Sequence, residues 1–250
     1  MGGLTVGAPN LRPDTATAAA AATLAIGTPM LRRAIRSPRG GMAFRRRTVE
    51  LAAVWTAGAA AIRLIDGRGF ELPADLRAVV LQPAAVGAVT VGVFTAGALV
   101  GSRLPFVRDR MADVLDHARK GPLPTVAGLA LLTGATEELF FRGALYDVAA
   151  HLGLPVLATT TALHMAVTTA TGNPMLVLAS GLLSTLTGLE RARTGSVVAP
   201  VVLHVVWSAG MLLVLPPIVN GRNGIRPGIR PRPRRGSAWR SRRSWGRGSR

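Results

Sequence analysis

The chain has no cysteine, one lysine (Lys120) and one tyrosine (Tyr146), and aromatic residues fill only 4% of its 250 positions. The absence of cysteine excludes disulfides, thiolate metal sites and a cysteine nucleophile, so a metal would have to be held by His, Asp or Glu. Acidic residues are also scarce, 12 against 30 basic ones, and the net charge of +18 is almost all arginine. Charged residues make up 17% of the chain and hydrophobic residues 49%. The apolar residues do not alternate with polar ones. They are gathered into blocks of about twenty, the length that crosses a hydrocarbon core of about 30 Å.

Six such blocks predict an all-α, polytopic transmembrane bundle, with spans at about 49–65, 78–101, 124–149, 152–171, 174–189 and 197–219. Arg63 interrupts the first and must snorkel to an interface, and Gln82 is the one strongly polar residue of the second. The last four spans are joined by short connections, which predicts neighbouring helices in one compact bundle. The domain reading is a poorly ordered basic region at 1–47, the bundle at 48–219 and a disordered tail at 220–250. The positive-inside rule places Arg32–Arg47, Arg103–Lys120 and the tail on the cytoplasmic side, with both termini inside. Arg191 and Arg193, between the last two spans, are the exceptions. The expected location is the plasma membrane of a prokaryote.

The N-terminal region contains an alanine run, Ala18 to Ala22, that is only weakly apolar and has no basic segment ahead of it, so it makes a poor signal peptide. Met42 opens Met-Ala-Phe-Arg-Arg-Arg and reads like a natural start. The tail is rich in Arg, Gly, Pro and Ser, with Trp239 and Trp245 interleaved, and cannot bury a core. Anionic lipid is the expected partner of these basic segments, each charge contributing about 1 kcal/mol. Nothing outside the tail suggests nucleic acid.

The third span carries Glu137-Glu138-Leu139-Phe140-Phe141-Arg142-Gly143. A charge near the bilayer centre costs about 2.5–3.5 kcal/mol, so these residues are functional candidates. On a helix, Glu138 and Arg142 are four apart and share a face, in the order that favours an ion pair. Glu137 is turned by about 100° from Glu138. It is left without an intrahelical counter-charge, and this nominates it as a general base. The alternative is a purely structural ion cluster between helices. His164 lies well inside the fourth span and His204 in the sixth, with Ser208 one turn further on. Glu137 and the two histidines can activate water and stabilise an oxyanion, or they can hold a divalent metal such as zinc. His117 and His151 read as ordinary solvated residues.

Glu137-Glu138 with Arg142-Gly143, His164 one helix later, and Thr194-Gly195-Ser196 leading to Ala199-Pro200 and His204 together resemble the CAAX-protease and bacteriocin-processing (Abi) family of intramembrane proteases, also called CPBP. The resemblance covers about 120–215. It implies an all-helical fold with a catalytic cavity within the bilayer, in which Glu137 activates water while His164 and His204 position it or stabilise the oxyanion. Glutamate-type and metalloprotease schemes both remain open, with Glu137, His164 and His204 as the metal ligands in the second. Two positions depart from the family pattern: Thr160 stands where Phe is usual, and Ser208 where Asn or Asp is usual. Serine has one donor where an amide has two. The implied function is hydrolysis of a peptide bond in a membrane-associated peptide or protein, lipidated or not. The alternative is a weakly active or inactive protein of the same fold with an immunity or scaffold role. A transporter is a third reading, but no internal repeat of two similar halves is found.

Overall fold

The computed structural model describes residues 13–38, 40–67 and 75–221, and all regular structure among them is helical. The expectations for residues 222–250 and for the side chain of His117 lie outside the described residues. Helix α1 (Pro13–Ile35) turns back into α2 (Met42–Ile65). A π-helical entry at Arg77–Leu81 leads into α3 (Gln82–Gly101), and the short α4 (Pro105–Arg119) precedes α5 (Leu123–Glu138). A second π-helical stretch, Leu139–Ala144, joins α5 to α6 (Leu145–His151). Helices α7 (Val156–Thr168), α8 (Pro174–Thr194) and α9 (Val198–Gly221) complete the bundle.

Local sequence explains several boundaries. Pro105 and Pro174 open α4 and α8 at the first helical position, where the missing N–H costs nothing. Asn173 caps α8 through a 2.9 Å bond from the Met175 amide to its side chain. Gly195 ends α8 in the left-handed conformation, φ +67°. In the stretch after Glu138, the Leu145 amide bonds to the carbonyl of Phe140, five residues back, so the helix widens there by one residue.

The six apolar segments fall on α2, α3, α5–α6, α7, α8 and α9. Of the described helices, three are long and apolar enough to cross a membrane by length and composition: Met42–Ile65, Arg77–Gly101 and Val198–Pro216. The structure differs from the sequence reading at the N-terminus. Pro13–Ile35, expected to be poorly ordered, is a helix packed along α2. Its small residues are the reason. Ala16 and Ala20 join a core of Leu51, Trp55, Ile62, Phe140 and Phe141. A Cβ at Gly27 would run into the Trp55 ring, so the indole fits only because position 27 is bare. This close approach through small residues is how membrane helices gain contact without a hydrophobic drive between them.

Trp55 is 1% exposed and stacks on Phe140 at 5.1 Å. That core bears directly on the π-helical stretch, so the motif residues sit on its supported side.

The two ends of the bundle differ in charge. At one end Gly40 lies against Lys120, and Asn173 donates from its side chain to the Arg110 carbonyl at 2.9 Å. Arg32, Arg33, Arg36 and Arg46 are exposed near this end. At the other end Arg193 donates to the Ala78 carbonyl at 3.1 Å, and Arg63, Asp147 and Arg191 meet.

Candidate active site

Glu137 and Glu138 end α5, Arg142 lies in the wide turn, His164 is on α7 and His204 on α9. The fold brings all five into one connected cluster. Glu138 Oε1 is 2.8 Å from His204 Nδ1, and Glu138 Oε2 is 3.4 Å from Arg142 Nε. Arg142 reaches on to His164, with its terminal Nη1 2.9 Å from Nδ1. His164 Nε2 lies 3.6 Å from Glu137 Oε2. The expected Glu138–Arg142 pair is therefore present, and it survives the wide turn between them. Each glutamate has its own histidine: Glu137 faces His164 and Glu138 holds His204.

Burial separates the two carboxylates. Glu138 and Arg142 have no exposed side-chain surface, whereas Glu137 keeps 16%. Glu137, His164 and His204 line a cavity of about 340 Å³ whose remaining walls are largely apolar, including Leu31, Phe44 and Leu183. Glu138 and Arg142 are not part of that lining. The arrangement is a wet-facing set of three ionisable groups backed by a buried ion pair.

The partners of each imidazole assign its protons. A guanidinium only donates, so His164 Nδ1 must accept from Arg142, and the ring proton lies on Nε2, toward Glu137. The Ser184 hydroxyl is also 2.9 Å from Nδ1. Phe141 stacks on the same ring at 4.2 Å and 10°, fixing its plane. For His204 the logic reverses. A carboxylate only accepts, so Nδ1 donates to Glu138 and Nε2 is the group left for the cavity. Gly134 makes room for this ring, since a Cβ there would come within 2.8 Å of Cδ2 and 3.1 Å of Nε2.

The set Glu137, His164 and His204 does not fit a metal in this arrangement. A protonated Nε2 on His164 cannot ligate, and among the described residues no group of three His, Asp or Glu side chains forms a metal-holding cluster.

Other sequence candidates fall nearby. Ser208 is buried one turn beyond His204 and does not line the cavity. Thr160 is fully buried, and its hydroxyl bonds the Val156 carbonyl at 2.9 Å, so it packs rather than joining the cluster. His151 is exposed at the end of α6, as expected. Sequence reasoning missed Ser184 and the Phe141 stacking. A serine in an apolar helix usually bonds its own backbone, and nothing in the spacing marks this one. Phe141 lay within the motif but carried no chemical signal.

Residues 119–210 match the family model described as Type II CAAX prenyl endopeptidase Rce1-like. That segment is similar to the CAAX protease family. It runs from the end of α4 into α9 and contains every ionisable member of the cluster. The apolar helices and the matched segment together make the chain an integral membrane protein. Helices α1 to α3 lie outside the matched segment, although α1 supplies part of the cavity wall. No curated protein and no solved structure matches the chain.

Proposed function

We propose that the protein is an intramembrane endopeptidase that hydrolyses a peptide bond with water activated by Glu137. One observation carries the reading: Glu137, His164 and His204, from three helices of the CAAX-protease segment, converge on one cavity. Glu137 takes a proton from water, and the oxygen adds to the scissile carbonyl carbon while the C=O electron pair moves onto oxygen. His164 Nε2–H, beside Glu137, donates to that oxyanion. His204, oriented by Glu138, offers Nε2 to the water as an acceptor. The C–N bond then breaks, and the proton held by Glu137 passes to the leaving amine.

The wall chemistry bears on the substrate. Apolar residues such as Leu31 and Phe44 suit an apolar or lipidated tail, and the exposed arginines near that end suit acidic groups and anionic lipid headgroups. The substrate we propose is a membrane-associated peptide or protein.

The test is cleavage of a quenched-fluorescent prenylated CAAX peptide, and of a library of membrane-derived peptides, by detergent-purified protein with and without chelator. Activity that persists in chelator and disappears in Glu137→Gln supports the glutamate scheme. No cleavage of either probe, with Glu137→Ala indistinguishable from wild type in cells, removes the reading. The inactive alternative rests on Ser208, whose hydroxyl replaces the usual amide or carboxylate.

A further inference from the structure

We infer that Arg191 is a positioning residue, which clamps the wide turn of the Glu137–Arg142 motif from outside the cluster and so sets where Arg142 meets His164. Its kinetic consequence rests on the protease reading, but its structural consequence can be read without any activity.

Arg191 and Arg193 sit at the end of the bundle where the positive-inside rule expects little basic charge. Both have carboxylate partners. Arg193 pairs with the buried Glu190 at 2.6 Å and bonds the Ala78 carbonyl, which ties α8 to the start of α3. Arg191 instead reaches the motif. Its Nε donates to the Arg142 carbonyl at 2.9 Å, and its Nη2 donates to Asp147 Oδ1 at 2.9 Å. Its guanidinium lies 5.3 Å from the Tyr146 ring centre. Asp147 Oδ2 is in turn 3.6 Å from Arg63 of α2. The side chains of Arg191 and Asp147 are each 12% exposed, so the pair is largely shielded from water.

These contacts fall on the stretch that most needs them. A π-helical turn shifts the backbone hydrogen-bond register by one residue over that stretch. Where the Arg142 peptide sits decides whether its side chain reaches both Glu138 and His164, at 3.4 and 2.9 Å. A donor on the Arg142 carbonyl fixes that peptide from the outside. Arginine can hold the carbonyl and the Asp147 carboxylate together because its donors form a rigid planar fork, and lysine cannot reproduce that fork.

The test compares full-length wild type, Arg191→Gln and Arg191→Lys in lipid nanodiscs, by kinetics on the prenylated CAAX peptide and by 15N NMR of histidine-labelled protein. A displacement of about 1 Å in a catalytic constellation can cost about 10²-fold. The expected result is a kcat lower by about 10²-fold in Arg191→Gln and about tenfold in Arg191→Lys, with KM within about twofold. The imidazole resonances of His164 move, and those of exposed His151 stay. Wild-type kcat together with unmoved His164 resonances overturns the inference, as does a loss confined to KM. If Arg191→Gln does not fold, Arg191→Lys, which keeps a charge beside Asp147, carries the same comparison. Absence of cleavage by wild type would remove the protease reading, and the His164 resonances alone would then decide the role of Arg191.

Discussion

Glu138 is sealed between Arg142 and His204, whereas Glu137 keeps some exposure and looks into the cavity beside His164. The same substitution should therefore have different consequences at the two positions. Glu138→Gln leaves the buried Arg142 charge uncompensated, and breaking such a pair costs about 3–5 kcal/mol. The expected outcome is a clear fall in Tm, seen by thermal-shift chromatography in detergent. Glu137→Gln should leave Tm near wild type while lowering kcat by about 10²–10⁴-fold, the usual contribution of a general base. Ser208 lies behind the cavity lining, and Ser208→Asn places a longer, two-donor side chain there on the same face as His204; it is expected to raise kcat by about tenfold or more, measured on the prenylated peptide. Helical spacing already separated the two glutamates, because a turn of about 100° puts neighbours on different faces. It could not say that His204 would bond Glu138 rather than Glu137, since that depends on where α9 meets α5. Ser184 was illegible for the same reason: its bond to His164 exists only once α7 and α8 are packed.

Helix α1 shows where composition misleads at the scale of an element. An alanine run reads as weakly apolar, yet small residues are what a bulky partner such as Trp55 requires on the facing helix. The helix also lines the cavity through Leu31, Ala34 and Ile35, so it belongs to the site as well as to the core. A chain beginning at Met42 would uncover Trp55 and Gly58 and open that wall. It is expected to have a lower Tm than the full chain and a weakened response to the peptide substrate, seen as a higher KM. Gly27→Leu in the full chain places a side chain where the Trp55 ring lies, and a fall in Tm is expected from the same assay. If both proteins match wild type in Tm, the α1–α2 contact contributes nothing to stability. The wide turn at Leu139–Ala144 was equally hidden, because one inserted residue leaves the apolar pattern of the segment unchanged.

For the whole molecule, the distribution of paired and exposed arginine sets an orientation. At one end Arg63, Arg191 and Arg193 are each matched with Asp147 or Glu190, and at the other Arg32, Arg33 and Arg36 are exposed. Net basic charge at one end is the signal that the positive-inside rule reads, and it predicts that the end holding Pro38 and Lys120 is cytoplasmic. Helix α1 then has a consequence for the N-terminus. It has 23 residues, about 35 Å at 1.5 Å per residue, and it packs against α6 near one end and the Thr169–Thr171 turn near the other. Thr15 is thereby placed at the end opposite Pro38, so the N-terminal side of the chain is expected outside, in contrast to the reading with both termini inside. The absence of cysteine makes this measurable without background. Single cysteines at the exposed positions Thr15, Pro38, Lys120 and His151 can be probed in intact cells with a membrane-impermeant maleimide. Thr15→Cys and His151→Cys should label from outside, and Pro38→Cys and Lys120→Cys only after permeabilisation. Labelling of Thr15→Cys only after permeabilisation, with the other three as expected, would mean that α1 does not cross the membrane beside α2.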